Sequence, residues 1–108
     1  MFDVGIQMKK LSGVFVAVCV LSMTAPAVQA SGETVYQTCV ECHGADASLS
    51  AMGKSQVIKG WPAARIVEAI NGYKAGTYGG PLKALMKVQA DKLDDASIQA
   101  VAEYISGL

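Results

Sequence analysis

The chain has 108 residues, with nine basic and nine acidic side chains and a formal net charge of zero. That length allows one domain, and the charge balance gives no sign of nucleic acid or a strongly charged membrane surface as the main partner. The hydrophobic fraction of 52% is concentrated at the start of the chain, where it has a separate meaning.

Lys9 and Lys10 precede the apolar run 14–21, and small residues follow, ending in Ala27-Val28-Gln29-Ala30. A basic head, a short apolar stretch and a Val-Gln-Ala cleavage pattern are the layout of a secretory signal peptide. Met8-Lys9-Lys10 is a conventional opening for such a leader. A retained membrane anchor is disfavoured, because the run is short and diluted by Ser12, Ser22, Thr24 and Pro26. Lipidation at Cys19 is disfavoured too, since Val18 stands where a small residue is wanted. The expectation is a leader over residues 1–30, cleaved after Ala30, and a periplasmic domain over residues 31–108. That domain carries six Lys and one Arg against eight acids. A chain so short buries little apolar surface and needs a staple such as a metal, a cofactor or disulfides. Its two cysteines, Cys39 and Cys42, are too close in sequence to tie distant segments together.

A first helix is predicted over about 33–42, with Ser31 or Thr34 as cap, Glu33 in the first turn and Gly44 as terminator. It runs into Cys39-Val40-Glu41-Cys42-His43. This C-x-x-C-H pattern is the attachment signal for c-type haem. Two thiols three positions apart on a helical turn reach the two vinyl groups of one porphyrin edge and form thioethers. The next residue then offers its imidazole to the iron. A thioredoxin-like redox pair would need a sheet, and the sequence has no alternating strand pattern. Half of a zinc site would need a second pair of Cys or His, which residues 31–108 lack. A simple disulfide with a chance histidine is the third competitor. The export pattern, and the position of the chain's one histidine, favour haem.

Residues 45–60 are small and polar and predict a loop that packs Leu49, and Val57 or Ile58, against the haem. A second helix is predicted over 62–75, with Pro62 at its first position and Gly76 as its stop. Its stripe of Ile66, Ala69, Ile70 and Tyr73 reads as core. Residues 77–81 are turn-rich, and 82–89 predict a loose turn or short helix carrying Met86. The last helix starts near Asp94 or Asp95, buries Ile98, Val101, Ala102 and Ile105, and ends at Gly107. The fold class is all-α.

Residues 31–108 hold two methionines, Met52 and Met86, as candidates for a second axial ligand of an iron, and a second histidine is excluded because His43 is the only one. Met52 follows His43 too closely to reach the opposite face easily, whereas Met86 lies 43 residues on, far enough for the chain to pass round the ring. A methionine is also a common apolar filler, and that reading of Met86 stays open here.

These residues resemble the small class I monohaem cytochromes c of bacteria. The likeness rests on 36–44, where a helix enters the haem motif, and on Tyr73-Lys74-Ala75-Gly76, which is similar to the close of that family's middle helix. It rests also on Met86 followed at seven residues by Leu93-Asp94-Asp95 and the last helix. The resemblance implies three to four helices around one covalently bound haem c, with Cys39 and Cys42 as thioether anchors and His43 and Met86 as axial iron ligands. It also implies that Tyr104 packs near Gly32 and Tyr36. One departure stands out. The family has a proline soon after the motif whose carbonyl accepts from the proximal imidazole, and 45–60 contains none. Another carbonyl of that loop is expected to orient His43. Trp61, Arg65 and Tyr78 are candidate donors to the haem propionates, with packing at the haem edge as the alternative.

With both axial positions filled, the iron can only change oxidation state, so the reading is a one-electron carrier and not an enzyme. Its partners are redox proteins that dock transiently, and Lys54, Lys59, Lys74, Lys83 and Lys87 are candidates to ring the exposed haem edge, with a plain solvated surface as the favoured alternative for each. A haem subunit of a larger oxidoreductase and a sensor haem with an open distal face are the alternative readings.

Overall fold

Ser31 lies in extended backbone, and its hydroxyl accepts the Thr34 N–H at the start of α1, Gly32–Tyr36, which has Glu33 in its first turn. The helix predicted over 33–42 then breaks. The N–H groups of Gln37, Thr38 and Cys39 reach back three residues instead of four, and the Thr38 hydroxyl donates to the Val35 carbonyl at 2.9 Å. A hydroxyl competing for that carbonyl tightens the turn. Helix resumes as α2, Val40–His43, which closes on Gly44 at φ 82°. The structure, a computed structural model, describes Gly13 and residues 30–108. The predicted leader, Cys19 included, therefore lies outside the described residues except at Gly13 and Ala30.

The 45–60 loop contains one 3-10 turn, Ala51–Gly53. The Ser50 hydroxyl donates across it to the Ser55 carbonyl, and the Ala51 N–H donates to the Ser55 hydroxyl at 2.8 Å. Helix α3 runs over Ala63–Ala75 and stops at Gly76, whose φ of 74° is left-handed. Pro62 takes the cap position, with extended backbone, one residue before the place predicted for it. The Met86 segment is a regular helix, α4, Lys83–Ala90. Helix α5, Asp95–Ser106, opens with the Asp94 carboxylate accepting the Ser97 N–H at 2.8 Å and carries Asp95 in its first turn.

Every residue of the predicted α5 stripe is buried, and so are Ile66, Ala69 and Ile70 of α3. Helix α5 packs against α1 and α3, and α4 packs against α3. Tyr104 of α5 meets Tyr36 of α1 with ring centroids 5.4 Å apart. Gly32 lets the two helices approach closely, because a β-carbon there would run into the Ala100 carbonyl. The described residues thus form five α-helices instead of three to four, the surplus arising from the break at 37–39, and contain no strand. The expectation of an all-α fold stands.

Candidate functional site

Cys39 caps α2 and His43 ends it, so the motif forms one wall of a cavity of about 770 Å³. Helix α3 contributes Ile66 and Ile70, α5 contributes Val101 and Ile105, and α4 brings Met86 to the same space. The volume falls within the range of roughly 300–1,000 Å³ that ligand clefts occupy. Cys39, Cys42, His43 and Met86, predicted as one site, all line this cavity.

Cys39 is half-buried and Cys42 exposed. Burial pushes the Cys39 thiol above its ordinary pKa, against the bond from the Thr38 hydroxyl. Burial also lowers the pKa of His43, which favours the neutral imidazole, the form that ligates metal. Its Nδ1 is buried and has no hydrogen-bond partner among the described residues. The expected carbonyl from 45–60 is therefore not there. The motif's C-terminal end is held by its backbone instead. The His43 N–H donates to the Cys39 carbonyl at 2.9 Å, and the His43 carbonyl accepts the Leu49 N–H at 3.0 Å. The Tyr36 phenol, 1% exposed, donates to the Gly44 carbonyl. This contact was not foreseen. The only hint was that Tyr36 shares a helical face with Val40, next to the motif.

Of the loop residues expected against the haem, only Ile58 is partly buried and lines the cavity; Leu49 and Val57 are exposed. Met52 also reaches the cavity, but it is 73% exposed on the 3-10 turn that packs beside α2. Its φ of 52° is unusual for a side chain of its size. Met86 differs, being partly buried and packed against the hydrophobic core.

Trp61 and Tyr78 line the cavity. Arg65 does not: its guanidinium stacks over the Trp61 ring, 3.5 Å from the centroid, and donates to Gln56 at 3.3 Å. The five candidate lysines also divide. Lys54 and Lys83 stand at the cavity, while Lys59 is paired with Asp46 at 3.1 Å. Lys74 and Lys87 bond to backbone carbonyls elsewhere.

The walls are mainly apolar, and the donors are sulfur and neutral nitrogen. Among the described residues no three His, Cys, Asp or Glu side chains cluster to hold a bare metal ion. A flat apolar macrocycle carrying iron fits such a space, with thiols at one edge for attachment and soft axial donors.

The comparisons with known proteins point the same way. Residues 29–108 match the sequence profile of the cytochrome c family. Cytochrome c-553 of Nitratidesulfovibrio vulgaris (strain Miyazaki F) is 40% identical over 82 residues, which cover 76% of this chain and 80% of that protein. The cytochrome c-553 of Desulfomicrobium norvegicum is 41% identical over 73 residues, 68% of this chain and 89% of its own. That of Helicobacter pylori (strain 26695) is 32% identical over 95 residues, 88% and 96% respectively. The all-helical frame, the motif on the cavity wall and these matches agree, and the chain belongs to the cytochrome c family of electron carriers built around a covalently bound haem c.

Proposed function

We propose that this chain is a periplasmic one-electron carrier in which Cys39 and Cys42 hold the haem as thioethers and His43 and Met86 fill both axial positions. The observation that carries this reading is that α2 and α4, distant in sequence, bring an imidazole and a thioether to one apolar cavity beside the two thiols. When bound, haem c supplies a ferric–ferrous couple. The chain's part is to attach it, to hold two uncharged ligands and to exclude water with Ile66, Ile70, Val101 and Ile105. Because Nδ1 of His43 is sealed in the protein, Nε2 is the nitrogen left for iron. The Met86 thioether carries no proton and favours the reduced state relative to a second imidazole.

Export rests on the leader pattern in residues 1–30. The family match begins at residue 29, beside the proposed cleavage point after Ala30. No helix among the described residues is long and apolar enough to cross a membrane. Donor and acceptor proteins would dock briefly over a small interface.

The test is the absorption spectrum of the oxidised protein beside Met86→Ala. The native protein is expected to be low-spin, with the weak far-red band of sulfur-to-iron charge transfer, and Met86→Ala to lose that band and bind carbon monoxide when reduced. A band that survives the substitution would assign the sixth position to another group.

A further inference from the structure

Helix α4, which carries Met86, buries little of itself against the other helices. It has eight residues, one of them buried, Ala90, and no side-chain cap at its start. Leu85 and Val88 line the cavity that the haem would fill. Its main packing partner among the described helices is α3, and a helix this short has little stability of its own. Polar contacts fasten it to α3. Lys87 Nζ donates to the Lys74 carbonyl in the last turn of α3 at 3.0 Å, and to the Asp91 carboxylate at 3.0 and 2.9 Å. Lys74 Nζ in turn donates to the Leu93 carbonyl, just past the end of α4, at 2.7 Å. Carbonyls in the last turn of a helix lack partners within it, and the dipole there favours a cation. Residue 74 thus fastens α4 twice, at its middle and beyond its end.

We propose that Lys87 is a positioning residue for Met86: by fastening α4 to the C-terminal end of α3, it sets how firmly the neighbouring thioether is held at the iron. This rests on the reading of Met86 as distal ligand. The Lys87–Asp91 pair is half-exposed on both sides, and exposed i,i+4 pairs contribute little. The partly buried bond to the Lys74 carbonyl is therefore the arm that matters. Lys87 follows Met86 directly, so any slack at Lys87 is passed to the sulfur.

The test titrates the oxidised holoprotein with imidazole, following displacement of the sixth ligand by loss of the far-red band. Lys87→Met keeps the stem and removes the donor. Half-displacement should then need roughly tenfold less imidazole, the effect of about 1.4 kcal/mol, with helix content unchanged by circular dichroism. Lys87→Gln, a milder change, should shift the titration the same way by a smaller factor and serves if Lys87→Met fails to fold. Lys87→Arg, which restores a cationic donor, and Asp91→Asn, which removes only the exposed pair, should titrate close to wild type. A Lys87→Met or Lys87→Gln protein that binds imidazole no more readily than wild type overturns the proposal while leaving Met86 as ligand. A wild-type protein without the band overturns the Met86 reading, and the proposal with it.

Discussion

Asp46 shows how a single side chain shapes the turn that leaves the haem motif. Its carboxylate accepts from the Ser48 hydroxyl and from Lys59, and in that order these bonds hold its pKa down to about 2, although it is exposed. A carboxyl whose folded pKa is depressed adds stability above its unfolded value, near 3.9. That contribution fades as the pH falls from there towards 2. The carboxyl carbon of Asp46, followed by NMR, should therefore titrate with a midpoint near 2, and the midpoint should rise in Lys59→Ala. A midpoint in the ordinary carboxylate range would mean that the loop is not tied in this way. At this scale the sequence marks candidates where chemistry demands a residue type at a fixed spacing, and Cys39, Cys42 and His43 do lie together on the cavity wall. The sequence was not readable where a side chain meets a backbone carbonyl, as Tyr36, Lys74 and Lys87 do. Every residue offers a carbonyl, so the sequence does not mark which ones a fold will bring near.

Helices α3 and α5 were legible because their apolar residues repeat at helical spacing and their ends carry Pro62, Gly76, Asp94 and Gly107. The break between α1 and α2 was not. It depends on one hydroxyl, that of Thr38, turning back onto the Val35 carbonyl, a choice that helical periodicity does not record. The α1–α5 contact makes a sharper claim. In an exposed helix, alanine is favoured over glycine by about 1 kcal/mol. At Gly32 the steric term wins, because the new β-carbon meets the Ala100 backbone and the Tyr104 side chain. Overpacking typically costs about 1–3 kcal/mol, more against a rigid backbone. Gly32→Ala is therefore expected to lose about 1–2 kcal/mol in chemical denaturation. Gly107→Ala, at an ordinary φ of −94° with no close neighbour, should be nearly neutral. Equal effects from the two substitutions would remove the close helix approach from the account.

For the whole molecule, the question is what fills the middle. The buried side chains come mainly from α1, α3 and α5. Between these helices, α2 and α4 lies an apolar cavity of about 770 Å³, large beside a core of so few residues. A chain of this size is marginal without a staple, and packed interiors leave few voids larger than a water molecule. The covalently bound haem c of the family would fill this space, complete the core and supply the redox chemistry at once. The measurement that tests this most directly is the intact mass of the protein from the periplasmic fraction, taken in denaturant with its Soret absorbance. The account predicts residues 31–108 plus one haem, with the absorbance staying on the polypeptide. A mass equal to the bare peptide, or haem that separates on denaturation, would contradict it.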